Sequence, residues 1–340
     1  MPQSVAGAAA RHRPGGAPRR DGRARALGVA GLLVAALAVF LLAAFPPAGS
    51  AAGPLVSAEP VRGVTLETIE ELDDSARLLS ESSAELTVRL VMGFEHSLDE
   101  YRRAVEALDP HAALMVQLAD SEELAGLSRE QLLARTQQAM DAFGDRVELW
   151  EVGNELNGAW AGSSPAQIDD KVEGAYELVR ARGGRTVITL NYWSGPECRQ
   201  EPWEDPLAYA RGMPERLRGV DALLLSVYET ACDPPQRPGA AELAASLREL
   251  GELFPRAMLG IGEIGAQGRE DGLPEDPAPG EKARIAEYYY GMHAELSEAV
   301  GPRYIGGYFW WYFKRDAVDP EAAGGAGSLW PLLDELTAGL

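Results

Sequence analysis

Two glutamates stand where apolar runs stop. In VELWEVGNELNGAW (residues 147–160) the alternation of Val, Leu and Trp with acidic side chains gives way to Gly153, Asn154 and Glu155, and in LGIGEIG (residues 259–265) Glu263 lies between glycines. A strand that can bury Val, Leu and Trp is only weakened by a carboxylate at its end unless that carboxylate faces water or a ligand. Two carboxyl groups brought together from distant segments are the minimal equipment for cleaving a glycosidic bond. One acid protonates the departing oxygen, and the other group attacks the anomeric carbon or activates water. Either Glu taken alone also fits a solvated strand end, so the elements that carry them must decide.

Eight short apolar runs punctuate the chain: VRGVTL from Val61, ELTVRLVMG from Glu85, AALMVQLAD from Ala112, VELWEVGNE from Val147, RTVITLNYW from Arg185, DALLLSVYE from Asp221, AMLGIGEIG from Ala257 and YIGGYFWWY from Tyr304. Between them lie stretches with helical spacing and start signals, such as the capping boxes Ser97 with Glu100 and Ser128 with Gln131. Near-continuous apolar strands imply burial on both faces, and a helix between each pair implies parallel right-handed crossovers. The expected fold is therefore an α/β single-domain (β/α)8 TIM barrel over residues 53–340. The rival, an open doubly wound sheet, would usually carry a Gly-rich phosphate turn after its first strand, and VRGVTLETIEEL has none. In a barrel, active sites form at the carboxyl ends of the strands, and the ends of the fourth and seventh face each other across the mouth.

Residues 1–52 read as an export signal: a basic stretch over residues 11–25, an uncharged run over residues 26–45, and small residues in PPAGSAAG (residues 46–53) with a cut expected near Ala52. An uncleaved N-terminal membrane anchor is the alternative. Arg19 and Arg20 hint weakly at a twin-arginine route. The segment holds six Arg and one Asp, so its removal takes the net charge from −21 to −26. Such a surface repels phosphate backbones, which excludes nucleic acid as an expected partner and suits a neutral or weakly charged substrate. The three His beyond the leader, His96, His111 and His293, are scattered without metal-ligand spacing, so no metal and no cofactor is expected.

With the strand order in place, the sequence resembles the clan A glycoside hydrolases, which carry an Asn-Glu acid/base pair ending strand four and a Glu nucleophile ending strand seven. The resemblance runs along residues 53–340 in strand order and is specific at GNE and GEIG. WEVGNELN is most similar to heparanase-like and β-glucuronidase-like members, and cellulases and xylosidases of the clan have similar segments; Leu156 stands where the clan commonly has Pro. The resemblance implies that Glu155 is the general acid/base, Asn154 a donor to the sugar 2-hydroxyl, and Glu263 the nucleophile. It further implies that Arg89 on strand two contacts the nucleophile, whereas burial alone would equally pair Arg89 with Glu151 in the barrel floor. Tyr228, ending strand six, corresponds to a clan Tyr that hydrogen-bonds the nucleophile, and ordinary packing at a wet mouth would also place it there.

Five tryptophans fall near the same end: Trp160, Trp193, Trp203, Trp310 and Trp311. Strand alternation turns one of Trp310 and Trp311 inward, and the resemblance puts a sugar-stacking Trp on strand eight; Trp160 and Trp193 are further candidates for substrate binding. Cys198 and Cys232 follow neighbouring strands five and six, so a disulfide stapling two mouth loops is expected. The loop QGREDGLPEDPAPGEK after strand seven reads as a rim, a lid or an inert solvated loop. The sequence thus points to an exported, monomeric retaining glycosidase acting on a carbohydrate. A non-catalytic carbohydrate-binding or cell-envelope barrel and a transglycosylase are the alternatives.

Overall fold

The eight apolar runs become eight strands: β1 (Val61–Leu66), β2 (Thr87–Val91), β3 (Ala113–Gln117), β4 (Leu149–Gly153), β5 (Arg185–Asn191), β6 (Ala222–Val227), β7 (Met258–Ile264) and β8 (Tyr304–Trp310). They pair in sequence order, all parallel, and β1 closes on β8 to complete the barrel. The computed structural model describes residues 59–143, 146–267, 277–318 and 327–340. The N-terminal leader and most of the acidic loop after β7 lie outside the described residues.

Both capping boxes form. Ser97 and Glu100 exchange side-chain and backbone hydrogen bonds at the start of the helix Leu98–Leu108, which then buries Tyr101, Ala104, Val105 and Leu108 at helical spacing. Gln131 accepts the Ser128 N–H at 2.8 Å and donates its own N–H to the Ser128 hydroxyl at 3.2 Å, opening the helix Arg129–Phe143.

Strand alternation sorts the core into two layers. Val88, Leu90, Leu114, Val116, Trp150, Leu223 and their neighbours face outward into the continuous helix–sheet layer. Met115, Leu149, Val187, Ala222, Leu224, Ile305 and Phe309 fill the barrel floor. Gly63 makes room there, because a Cβ at that position would lie 2.4 Å from the Phe309 ring. Above this apolar plug the inward positions become polar: Arg89, Glu151 and Thr189 are fully or almost fully buried.

Two departures from regular strands set up the mouth. On β7, Ile261 pairs with Leu225 but Glu263 pairs with Ser226, leaving Gly262 as the extra residue of a bulge. Without it, Glu263 would share the outward face of Leu259 and Ile261. On β4 the register against β5 slips between Glu151 and Gly153, and Glu155 adopts a left-handed backbone with φ 45°, a conformation that costs a non-glycine residue about 1 kcal/mol or more. Leu156 anchors that turn: its side chain is fully buried, and its N–H donates to the Thr189 carbonyl at 3.3 Å. A proline at this position would have no N–H to make that bond.

Candidate active site

Arg89 is the hub of the mouth. Burial works against its charge, and the carboxylates of Glu151 and Glu263 overcome this and hold it protonated beyond the ordinary arginine range. Its Nε and Nη2 donate to the two oxygens of Glu151 at 2.6 and 2.7 Å, its Nη1 donates to Glu263 Oε1 at 2.5 Å, and Nη2 also reaches Asn154 Oδ1 at 2.8 Å. The two arrangements open for Arg89 in the sequence therefore coexist, with the guanidinium pairing both glutamates at once. Thr189 donates a further short hydrogen bond to Glu151. A fully buried cation needs this degree of pairing, since leaving either partner out would strand a charge in the barrel.

The other oxygen of Glu263 accepts the Tyr228 hydroxyl at 2.7 Å. Burial, then the charges of Glu263 and Glu155, push the Tyr228 phenol well above its usual range, so it stays protonated and donates. Glu263 is thus gripped through both oxygens and fixed in orientation.

Glu155 has the opposite surroundings. Its Oε1 is buried and has no hydrogen-bond partner among the described residues. Burial first, then the negative charges of Glu263 and Asp120, raise its pKa well above the usual carboxylate range. One carboxyl group is held by a cation and a phenol, and its neighbour is driven toward the protonated form.

Both line a cavity of about 530 Å³, together with Asn154, Tyr228, Trp160, Trp193 and Trp311. The rings of Trp160 and Trp193 meet edge to face with centroids 6.0 Å apart, and Arg89 lies 5.4 Å from the Trp311 ring centroid. Of the two strand-eight tryptophans it is Trp311 that turns inward. Trp310, expected among the substrate-binding residues, is not in the cavity: it is fully buried in the helix–sheet layer, where its indole N–H donates to Asp316 at 2.9 Å. The parity of β8 decides this, because Phe309 already occupies the inward position before it. Trp203 packs against Tyr209 rather than lining the cavity.

The wall after β5 and β6 is stapled. Cys198 and Cys232 form a disulfide with Cα atoms 4.6 Å apart, and Cys198 itself lines the cavity. Asn157 braces the same wall, donating to the carbonyls of Asn191 and Glu204 and accepting the Asn191 N–H at 2.6 Å. Glu204 is buried with its oxygens engaged by the N–H groups of Ala159, Gln200 and Glu201.

Sequence reasoning missed Asp120, which follows β3 and lines the cavity. Burial, opposed by the Glu122 N–H and reinforced by the Glu263 charge, raises its pKa from 3.8 to about 6. The signal was present, since Asp120 closes the apolar run AALMVQLAD as Glu155 closes its own. A glycine beside a carboxylate can let a ligand approach closely. Gly262 instead faces protein: a Cβ there would lie 2.8 Å from Leu224 Cβ and 2.9 Å from Thr189 Cγ2. The histidines lie outside the cavity lining, and His293 is partly buried beside Tyr304 and Tyr308.

A closed parallel barrel with two unlike carboxyl groups at its carboxyl-terminal mouth is the class of protein these features define. No protein-family model and no curated protein matches the chain. Among solved structures, a glycoside hydrolase family 5 enzyme from Prevotella bryantii B14 is similar at 13% identity, covering 85% of this chain and 92% of that one with a TM-score of 0.53. A β-glucosidase from Thermotoga maritima in complex with glucoimidazole is similar at 12% identity, covering 78% and 90% with a TM-score of 0.51. At such identities the likeness is one of fold, and it spans most of both chains.

Proposed function

We propose that this protein is an exported glycoside hydrolase that cleaves the O-glycosidic bonds of an oligo- or polysaccharide with retention of configuration. One observation carries the reading: Glu155 and Glu263 line the same cavity in opposite surroundings, Glu263 bound through both oxygens by Arg89 and Tyr228, and Glu155 with a buried, unpartnered oxygen and a raised pKa. Glu263, fixed by Arg89 and Tyr228, attacks the anomeric carbon, while Glu155, whose surroundings favour the acid form, gives its proton to the departing oxygen. Once Glu263 is esterified its charge is gone, the push on Glu155 falls, and Glu155 takes a proton from the incoming water. Asn154, fixed through its Oδ1 by Arg89, keeps its amide N–H groups for a sugar hydroxyl. Trp160, Trp193 and Trp311 offer apolar faces to the C–H surfaces of sugar rings.

A neutral glycan suits the cavity better than a uronate. Among its described lining residues Arg199 is the only Lys or Arg, and Arg199 is bound to Asp205 at 2.5 Å. Export is supported by the basic and apolar leader and by the Cys198–Cys232 bond, which suits an oxidising compartment.

The test is a panel of aryl glycosides offered to wild type, Glu155→Ala and Glu263→Ala. Loss of turnover in both variants, with azide restoring Glu263→Ala as a glycosyl azide of inverted configuration, is expected. Equal behaviour of all three proteins would leave a carbohydrate-binding barrel, and products transferred mainly to added sugar acceptors would make it a transglycosylase.

A further inference from the structure

Phe94 is the only large hydrophobic residue strongly exposed among the described residues, at 54%. It lies just beyond β2, on the mouth side of the barrel, and unlike a loose loop residue its N–H and the carbonyls of the two residues before it are hydrogen-bonded. The preceding Gly93 donates its N–H to the buried Tyr101 hydroxyl at 2.7 Å. Phe94 donates its own N–H to Glu123 at 3.2 Å. Arg135 ties the segment down by donating to the carbonyls of Met92 and Gly93 at 2.6 and 2.8 Å and to that of Leu118, just beyond β3, at 2.6 Å. The same guanidinium lies over the Phe94 ring, 4.6 Å from its centroid, a cation–π contact that restrains the ring.

An aromatic ring left in water loses the benefit of burial, and here four hydrogen bonds fix the backbone that carries it and a cation lies against the ring. Glu123, which holds Phe94, belongs to the helix Ser121–Gly126, whose first residues Ser121 and Glu122 line the catalytic cavity beside Asp120. Phe94 therefore stands on the rim next to the cavity, on the side of β2 and β3, away from the Trp160 and Trp193 wall.

The geometry points to Phe94 as a preorganised stacking platform for a sugar ring beyond the catalytic centre, which makes the substrate a neutral chain running out of the cavity over β2 and β3. This rests on the glycosidase reading and extends it. A rigid, flat apolar face offered to solvent matches the C–H face of a pyranose, and preorganisation removes the ordering cost of binding it.

Native affinity electrophoresis through gels containing soluble xyloglucan, galactomannan or mixed-linkage β-glucan, run beside aryl-glycoside assays, separates the two claims. Wild type is retarded by at least one of these polysaccharides, Phe94→Ala binds it about five- to tenfold more weakly, and Phe94→Tyr keeps the affinity. Equal mobility of wild type and Phe94→Ala in all three gels overturns the platform. Aryl-glycoside turnover with such equal mobility rejects the platform and leaves the glycosidase standing. Phe94-dependent retardation without turnover by the wild type rejects the glycosidase and keeps the platform.

Discussion

At the scale of single residues, the site works by making two chemically identical side chains unlike. Glu263 has a cation on one oxygen and a phenol on the other; Glu155 has a buried, unpartnered oxygen and two negative neighbours. Tyr228→Phe removes one hydrogen bond to a charged group at nearly constant volume, worth about 1.5–3 kcal/mol, so stability should drop by up to about that amount and kcat should fall about 10- to 100-fold. Steady-state kinetics on whichever aryl glycoside is turned over check this, and an unchanged kcat would remove Tyr228 from the mechanism. The Asp120 charge offers a finer probe. Glu155 must carry a proton for the first step, so kcat/KM declines as pH rises through its pKa. Asp120→Asn withdraws one of the charges that raise that pKa, and the basic limb should move to lower pH. A limb that stays in place or moves toward alkaline pH would show that Asp120 does not act on Glu155.

At the scale of elements, what the sequence carried and what it hid divide along one line. The eight strands were legible because each is an apolar run bounded by turn residues or a capped helix, and Glu155 and Glu263 were legible because they end two of those runs. Which way a side chain points near a strand end was not, because one inserted residue inverts the alternation. The bulge at Gly262 is what faces Glu263 inward, and nothing in LGIGEIG distinguishes a bulge glycine from one that admits a ligand. The parity of β8 likewise sends Trp310 outward and Trp311 inward, a choice the sequence left open. Arg89 escaped in another way: the sequence supplied two partners, and only the meeting of β2, β4 and β7 shows that it takes both. Gly262→Ala tests the bulge. Its Cβ would press on Leu224 and Thr189, and both are held by the barrel wall, so stability should drop by about 1–3 kcal/mol. Turnover should fall as well, because relief requires the backbone that aims Glu263 to shift. Urea denaturation alongside kinetics is the check, and a variant of full stability and activity would mean the glycine is not needed there.

At the scale of the whole molecule, the same burial that prepares the mouth sets how stability responds to pH. Glu67, just beyond β1, accepts the N–H groups of Lys314 and Arg315 at 3.2 Å each, tying the first strand to the segment after the last. Burial, only partly opposed by these backbone bonds, raises its pKa from 4.5 to about 7. Asp120 and Asp169 are raised to about 6, in each case chiefly by burial. Each of these acids binds its proton more tightly folded than unfolded, so its contribution is complete below about pH 4 and is lost as pH rises through its folded value. His293, which burial makes harder to protonate, works in the other direction as a single group. Exposed acids with lowered values, such as Glu100 and Asp141, act only at still lower pH and are screened by water. Self-repulsion in a chain of net charge −21 also grows as these acids ionise. Calorimetric Tm should therefore fall between pH 5 and pH 8, and Glu67→Gln, neutral throughout, should flatten the fall. A Tm that holds or rises over that interval, or a variant that keeps the full slope, would show that the half-buried carboxyl joining the two ends of the barrel does not titrate in it.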